Sequence, residues 1–579
     1  MKQDIDDITT LGRQGKRGES SSAKFGRTLG LFPLPVLVIA LAAFVVLVPM
    51  LFRGEASGHD FEFHLNSWME VVRQWHSGIL YPRWAELAHY GYGEARFIFY
   101  PPISWLLGAA LGSMLPWAVV PGVFIWLALT LSGVTMFCLA RRWFGQQEAV
   151  LAAVLYLTNP YYMLVVYWRS SFAELLCGAL LPLLLICVLR LAEKEHASIP
   201  MLALVIAAAW LTDVPAAIMV NYSVALLIVV LAILRRSPRM LWFGAAAVAI
   251  GMALAGFYTV PAAYEQKWVN IDQVLSPGLR PQDNFLFTFT NDADHNRFNL
   301  LISITAVTEI VAIGAAIALS GVPKALAKRA GRLTSWKEFW WPVAAWGAVA
   351  SALMIGATFP AWEYLPKLRF AQLPWRWLLC LNVALVLLVL AAWKRWFVRV
   401  VVFTAMGAAL VVAGGRVLPP YWDRASDVAE LHQAIVEGQG YEGTDEYVPA
   451  GADPYEIQEN AERVKYEGEG EAQITQVEWR PEWKSFVATT TRPGRLVLRL
   501  FNYPAWKVDL NGRPVTTATA QVTGQMVIAI ESGENHVRVA FTPTWDRRLG
   551  FLISLLSALG VVGCLMRRKK TADPSLGSG

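Results

Sequence analysis

The sequence predicts a polytopic α-helical membrane protein with about twelve spans, and a β-sandwich-like domain outside the membrane before the last span. Two observations support this fold class. The chain has 579 residues, of which 55% are hydrophobic and only 16% charged, and it contains 25 tryptophans. This composition is typical of helices in lipid with aromatic residues at the interfaces. A stretch of alternating apolar and polar residues near the C-terminus indicates short strands instead.

Most of the apolar runs are about 18 to 22 residues long, which suits a membrane span. Neighbouring Lys and Arg residues set the orientation, because cytoplasmic turns are rich in positive charge. The run 101–118 is treated as a helix on the outer surface, since counting it as a span would place Arg141 and Arg142 outside. Both termini are then cytoplasmic. The predicted spans are 31–52, 121–140, 149–166, 172–189, 200–211, 214–234, 240–260, 298–319, 339–359, 373–393, 396–413 and 549–566.

The predicted domains follow from these runs. They are a disordered cytoplasmic tail (1–30), a transmembrane domain (31–414) with an outer first loop (53–120), an outer domain that is mainly β (415–546), a last span with a basic stop (547–570), and a tail or cloning scar (571–579).

The outer domain has two parts that differ in residue composition and pattern. Residues 423–470 are acidic and turn-rich, and we expect them to be irregular. Alternating runs follow, with an Asn511-Gly512 turn between two of them, and these predict a small β-sandwich. The domain either binds sugar or caps the membrane core. The predicted strands are AQITQVEW, SFVATT, GRLVLRLF, WKVDLNGRPV, QMVIAI and HVRVAF.

The distribution of charge argues against nucleic acid binding, and the positions of the cysteines argue against disulfide and zinc chemistry. The net charge of +6 comes from short basic clusters beside apolar runs, which report topology rather than nucleic acid binding. All five cysteines fall inside predicted spans, where a disulfide or a zinc site is not expected.

The polar stretch 58–110, at the first exit from the membrane, is the candidate active site. Within it, apolar residues recur at spacings of four and three, which predicts a helix lying along the membrane surface, while Asn66 and Glu70 point elsewhere. The apolar positions are Phe61, Leu65, Trp68, Val72 and Trp75.

Asp60 stands at the N-cap position of this helix, and His64 follows four residues later, on the same side. Asp60 is either a simple helix cap or a catalytic carboxylate at the membrane boundary. His59 and His64 either form interfacial hydrogen bonds or, together with Asp60, hold a divalent metal, although the spacing is loose for a metal site.

Further charged residues are candidates for binding a phosphate or a substrate. Asp213 lies between two apolar runs, where it is either a functional charge or a helix cap before Pro215. Asp294 and His295 belong to a loop that is either a binding element or an Asp-rich turn. The candidate cations, which could instead extend to the interface or pair with nearby Glu residues, are Arg369, Arg376, Arg96, Arg169 and Lys267.

Several motifs resemble those of known membrane proteins. The order of first span, acidic outer loop, surface helix, YPPISWLLGAAL and a second span ending in RRWFG resembles the GT-C class of glycosyltransferases. More specifically, the sequence resembles bacterial membrane proteins labelled 6-pyruvoyl-tetrahydropterin synthase-related, although nothing in it supports pterin chemistry. The motifs behind this second resemblance are HDFEFHLNSW, YPRWAELAHYGYGEARFIFYPPISWLLGA, RFAQLPWRWL, GTDEYVP and FNYPAWKVDLNGRPV.

The GT-C resemblance implies a function and a site. It implies transfer of a sugar from a polyprenyl-phosphate donor to a periplasmic glycan, lipid or protein acceptor, at a bacterial inner membrane, with Asp60 as general base. His64 and Glu62 complete the expected catalytic set. Several GT-C enzymes carry a closer acidic pair, so Glu62 would have to turn towards Asp60. No cofactor is firmly expected, and a divalent metal stays an open alternative. The other functions considered are a non-catalytic scaffold or subunit of a complex and, third, a transporter.

Overall fold

The structure is a computed structural model that describes residues 33–194, 198–321, 333–417 and 419–572. The predicted N-terminal tail and most of the C-terminal tail lie outside these residues. The basic residues that follow the predicted span 298–319 also lie outside them; they are Lys324, Lys328, Arg329 and Arg332. The main helices are α1 Pro33–Arg53, α2 Phe61–His76, α3 Pro102–Gly112, α4 Val120–Ala140, α5 Gln146–Leu157, α6 Phe172–Cys177, α7 Leu180–Lys194, α8 Ile199–Thr212, α9 Val214–Arg235, α10 Arg239–Leu254, α11 Gly256–Glu265, α12 Ala293–Gly321, α13 Leu333–Leu353, α14 Phe359–Tyr364, α15 Leu378–Ala392, α16 Trp396–Val417, α17 Ala425–Val436 and α18 Trp545–Ala572.

Within the described residues, nine helical segments are long and apolar enough to cross a membrane. Two bent pairs raise the number to eleven if each is a single span: α10 with Gly256–Trp268, bent by 78°, and Lys337–Leu353 with Gly356–Tyr364, bent by 94°. The remaining predicted span is α8, which has only 14 residues. The prediction of a polytopic helical protein is confirmed, whereas the count of twelve stays a prediction.

The first loop contains two longer helices, and one of them differs from its prediction. With 11 residues, α3 is too short to cross a bilayer, while its place at the outer surface stays a prediction. In contrast, α2 does not lie on a surface with its polar side in water, because Asn66 and Glu70 are buried together with its apolar residues. It packs closely on α3, where a Cβ on Gly108 would lie 2.2 Å from the Trp68 ring. The polar side of α2 is covered by the chain that follows the membrane domain.

The outer domain contains two antiparallel sheets. Their strand orders are β3-β6-β10-β9 and β4-β5-β11-β7-β8. Along β11, Val537 and Val539 are buried whereas His536 and Arg538 are exposed, which is the alternation of a strand with one face in the core. The predicted β-rich domain is therefore confirmed. The strands are β3 Val464–Gly468, β4 Ala472–Arg480, β5 Trp483–Thr490, β6 Gly494–Phe501, β7 Trp506–Leu510, β8 Arg513–Val515, β9 Ala518–Thr519, β10 Gln525–Ile530 and β11 Gly533–Phe541.

The prediction that 423–470 is irregular is wrong in two places. Residues 425–436 form α17, with Val428 and Ile435 buried, and 464–468 form β3, an edge strand paired with β6. The first loop is also tied to this region by a short pairing of β1 (Glu55–Ala56) with β2 (Trp422–Asp423). The sequence does contain the helical spacing of Val428, Leu431 and Ile435, but these few apolar residues lie within an acidic stretch, which weakens the helix signal.

Buried ionic contacts join the first loop to the outer domain. Lys484 of β5 is fully buried, and its ammonium group lies 3.1 Å from a carboxylate oxygen of Glu86. Arg73 of α2 donates to the other oxygen of Glu86 at 2.7 Å. Because a buried charge is costly without a partner, this triad fixes how the β-domain docks on α2.

Glu94 makes a second junction. Its buried carboxylate pairs with Arg96 and with His89, and it accepts a hydrogen bond from the backbone of Thr444 at 2.8 Å. Burial by itself would raise the pKa of Glu94, but Arg96 and the hydrogen bonds from His89 and the Thr444 backbone outweigh it, and the pKa falls to about 2. The segment after the membrane domain is thus held on the first loop by an ionised carboxylate.

Glu70 predicts a pH-dependent stability. Burial raises its pKa to about 7 from an ordinary 4.5, and the hydrogen bond from Tyr441 offsets this only in part. At a pH between 4.5 and about 7, Glu70 is protonated in the folded protein and ionised in the unfolded chain. Its contribution to the free energy of unfolding is therefore complete below pH 4.5 and is lost as the pH rises through about 7. Glu70→Gln keeps the side chain neutral. We expect its thermal unfolding temperature to fall less than that of the wild type over this pH range.

Glu62→Gln is the matched control, because Glu62 is an exposed residue of the same helix. It should keep the wild-type dependence on pH. If the unfolding temperatures of Glu70→Gln and of the wild type fell equally as the pH rises, Glu70 would not be the source of this pH dependence.

Candidate active site

The start of the first loop is held against the turn that ends the third span. Residues Val165–Arg169 form a π-helical turn, a form that recurs at functional sites, and Ser170 then takes the left-handed conformation. The backbone N–H of Gly58 donates to the Ser170 hydroxyl, and that of Asp60 donates to the carbonyl of Arg169, both at 2.8 Å. A Cβ on Gly58 would lie 2.4 Å from the Trp168 carbonyl oxygen, so the close approach requires glycine. This contact places Asp60 beside Arg169.

The carboxylate of Asp60 does not cap α2. Asp60 occupies the N-cap position, but its side chain accepts no hydrogen bond from the helix backbone. Instead, Oδ2 lies 3.3 Å from Nη2 of Arg169, and Ser171 gives a further side-chain hydrogen bond. Of the two alternatives considered for Asp60, the simple helix cap is therefore excluded, because the carboxylate is bound by the guanidinium of Arg169 instead.

Asp60 is ionised and accessible. Burial by itself would raise its pKa, but Arg169 and His64 lower it by more, and the net pKa lies below the ordinary value. The side chain is 35% exposed, so a bound molecule could reach it. An ionised carboxylate at an open position can accept a proton from a hydroxyl group or orient that group.

Glu174 is the centre of the charged cluster. Fully buried in α6, it accepts hydrogen bonds from Arg169, from Nε of Arg376 at 3.2 Å, and from the Tyr161 hydroxyl. Arg169 also lies over the Trp375 ring, with 5.0 Å to its centroid. The cluster therefore links the first loop to three helical segments, which are the turn Val165–Arg169, the start of α6 and the turn Pro374–Trp377. Its two guanidinium groups are balanced by the carboxylates of Glu174 and Asp60.

His64 lies beside Asp60 in an aromatic environment. Its ring is packed against Phe172, Trp68 and Tyr100, with centroids 5.1, 5.8 and 5.9 Å away. Burial lowers its pKa to about 4, although Asp60 acts in the opposite direction. Neither ring nitrogen has a hydrogen-bond partner among the residues that the structure describes. At neutral pH, His64 is thus a neutral group that could exchange a hydrogen bond with a bound molecule.

Some predicted site residues lie elsewhere or are already engaged. Arg96 is 1% exposed and donates to Glu94 and to the Ser67 hydroxyl, so its guanidinium is committed to the junction with the outer domain. Asp213 caps α9 through the backbone N–H of Ala216 at 2.9 Å. Glu62 is exposed and does not join the ionic cluster of Asp60, Arg169, Glu174 and Arg376.

Asp294 and His295 lie in the first turn of α12 and not in a loop, which corrects their predicted place. Asp294 pairs with Arg297 at 3.1 Å, and His295 lies 3.1 Å from the carbonyl of Asp283. Just beyond this turn, the Phe298 ring packs on His59 with 4.9 Å between centroids.

Two of the predicted cations are exposed to solvent. Arg369 lies against the Phe370 ring, beside a groove that is also lined by Arg280 and Trp362. Lys267 lies 3.8 Å from the centroid of the Tyr264 ring.

The side chains around Asp60 do not fit a metal site. In the part of the chain that the structure describes, no group of three or more His, Cys, Asp or Glu side chains is placed to hold a metal ion.

Comparison with known proteins decides the family. A family model described as 6-pyruvoyl-tetrahydropterin synthase related domain, membrane protein, matches residues 97–417, which is more than half of the chain. The chain belongs to this family of membrane proteins. The predicted relationship is thereby confirmed. Arg169, Glu174 and Arg376 lie inside the matched region, whereas Asp60 precedes it.

Two solved structures are similar to this chain, at low sequence identity and with low TM-scores. ArnT from Cupriavidus metallidurans bound to undecaprenyl phosphate is 16% identical, with a TM-score of 0.42 over 69% of each chain. The apo oligosaccharyltransferase of Archaeoglobus fulgidus is 13% identical, with a TM-score of 0.38 over 71% of this chain and 56% of its own. Similarity at this level assigns no role to any residue. No curated protein matches this chain in sequence.

The sequence-based reasoning missed Glu174 and Tyr161. An acidic residue in the first turn of a span is a recognisable signal, because such a charge needs a partner or a function. Its partners could not be read from the chain, since Arg169 and Arg376 are separated by about 200 residues and meet only through helix packing.

Glu174→Gln should destabilise the protein strongly. The change removes the charge that separates two buried guanidinium groups, and breaking a buried pair costs about 3–5 kcal/mol. We expect a clear fall in the temperature of thermal unfolding in detergent. The control is Glu193→Gln, because Glu193 pairs with Arg142 at the exposed end of the same span. Equal stability of the two variants would contradict the central role of Glu174.

Proposed function

We propose that this protein is a membrane glycosyltransferase that moves a sugar from a polyprenyl-phosphate donor to a hydroxyl group of a periplasmic acceptor. In this proposal Asp60 is the general base, at the outer face of a bacterial inner membrane. One observation carries the proposal: Asp60 is ionised, partly exposed and held by Arg169 and the backbone of residue 169, rather than serving as a helix cap.

The proposed reaction is a single displacement. The acceptor hydroxyl attacks the anomeric carbon, its proton passes to Asp60, and the bond between that carbon and the phosphate oxygen breaks. The electron pair of that bond leaves with the polyprenyl phosphate, which is already a stable anion. The configuration at the anomeric carbon is inverted. Catalysis then needs a carboxylate near the acceptor and positive charge near the phosphate.

The cations divide into two groups in this proposal. Arg169 and Arg376 are shared with Glu174, so they hold Asp60 in place and add a positive field rather than binding phosphate alone. Arg369 is exposed and is the candidate ligand of the lipid phosphate. His64, neutral and without a described partner, is placed to orient the acceptor.

A second candidate function is a non-catalytic subunit of a membrane complex. The observation in its favour is the extent to which the first loop is used for structure, since Glu70, Glu86, Glu94 and Arg96 are all buried in contacts within the chain. A protein that kept the fold without the chemistry could retain these junctions.

Asp60→Asn should slow transfer strongly while leaving the fold intact, because asparagine keeps the shape but accepts no proton. The purified full-length protein is mixed with a membrane lipid extract containing polyprenyl-phosphate sugars and with a periplasmic extract as acceptor. Mass spectrometry follows consumption of the donor. We expect the rate to fall by about 10² to 10⁴-fold, as for loss of a general base.

The matched control is Glu430→Gln, which changes an exposed carboxylate of α17. It should retain the wild-type rate. A wild-type rate in Asp60→Asn would refute the role of Asp60. If the wild type consumes no donor and instead purifies with a second polypeptide in equal amount, the subunit function is the better explanation.

A further inference from the structure

A carboxyl–amide pair is buried between two spans. Glu309 of α12 and Asn382 of α15 are both fully buried, and Nδ2 of Asn382 donates to Oε2 of Glu309 at 2.9 Å. The same nitrogen donates to the backbone carbonyl of Leu378 at 2.9 Å. A carbonyl oxygen can only accept, so this second bond fixes which end of the amide is the nitrogen. The amide oxygen of Asn382 is therefore left as an acceptor.

Two oxygens of the pair are unsatisfied if Glu309 is ionised. Oε1 of Glu309 and Oδ1 of Asn382 are buried and have no hydrogen-bond partner among the described residues. No basic side chain forms a described ion pair with Glu309, unlike Glu174. An unpaired carboxylate inside a membrane protein is very costly. A proton on Oε1 removes the charge and makes that oxygen a hydrogen-bond donor, while Oδ1 of Asn382 is an acceptor without a described partner.

The pair also connects the spans that build the candidate site. Its first helix, α12, carries Phe298, whose ring packs on His59 and on Trp375 with centroids 4.9 and 5.9 Å apart. Its second helix, α15, continues directly from the turn that contains Arg376.

A third element meets the pair at Tyr161. The backbone amide of Tyr161 lies against the carboxyl group of Glu309, and the hydroxyl of the same residue donates to Glu174. The geometry of Glu309 is thus linked to the charged cluster around Asp60 through a single residue.

We propose that Glu309 is protonated and forms a neutral lock with Asn382, which fixes α12 against α15 and so positions Trp375 and Arg376 at Asp60. The effect of the lock on transfer rests on the proposed function, whereas its protonation and its effect on stability do not. Glu309 and Asn382 are positioning residues in this proposal. They do not touch the substrate.

Infrared difference spectroscopy tests the protonation directly. Spectra of the full-length wild type and of Glu309→Gln, both reconstituted in lipid at neutral pH, are subtracted. The wild type should show the C=O stretch of a carboxylic acid that the variant lacks. A difference spectrum with carboxylate bands instead would overturn the proposal, whether or not the protein is an enzyme.

The conservative variant tests the lock. Glutamine carries an N–H donor in place of the acid O–H, so Glu309→Gln should keep the wild-type unfolding temperature. Glu309→Leu and Asn382→Leu should both lower it. Thr305→Val is the matched control, because Thr305 is a buried polar residue of the same helix whose hydroxyl donates only to Leu301 within that helix.

The transfer assay tests whether the Glu309–Asn382 pair positions the catalytic groups. In the donor-consumption assay, both leucine variants should lose about tenfold or more in turnover, as for a small displacement of catalytic groups, while Glu309→Gln stays near wild type. Equal losses in Glu309→Gln and Glu309→Leu would overturn the neutral lock. If the wild type shows no transfer, the proposed function fails, and the spectra and unfolding temperatures still decide the lock.

Discussion

The buried carboxylate of Glu174 is the contact on which the candidate site depends. It accepts from Arg169 at the end of one span and from Arg376 at the start of another, and Arg169 extends to Asp60 in the first loop. Charged groups at the edge of a membrane persist when they are paired, and here two positive and two negative groups balance. The pairing lowers the pKa of Asp60 against the effect of burial. The Asp60 side chain nevertheless stays 35% exposed. The chemistry proposed for Asp60 is a consequence of this balance.

The first loop is also held by its position between the membrane domain and the β-domain. Lys484 pairs with Glu86, the Thr444 backbone bonds to Glu94, and Tyr441 donates to Glu70. These contacts explain why α2 is buried on its polar side. They also give a structural role to three acidic residues of the stretch 58–110, namely Glu70, Glu86 and Glu94.

Much of the architecture could be predicted because each span closes its own backbone hydrogen bonds and must be apolar, so its signal is local. Most β-strands were also readable from their alternation, although β3 and β9 were missed. Asn511 and Gly512 take the positive φ angles that a tight hairpin turn requires. In contrast, α17 was missed because its few apolar residues lie in an acidic segment. The site was predicted only in part. Asp60 and His64 do lie together, whereas Arg96 belongs to a junction and Glu174 was overlooked, since these roles depend on partners that are distant in sequence.

Analysis of the lipids that copurify with the wild-type protein tests the central claim most directly. The protein is extracted in mild detergent, and its bound lipids are identified by mass spectrometry. The account predicts a polyprenyl phosphate or its sugar derivative, enriched over the bulk membrane lipids and reduced when Arg369 is replaced by Ala. A lipid profile identical to that of the surrounding membrane, with no isoprenoid phosphate, would contradict the proposal that this protein transfers sugar from such a donor.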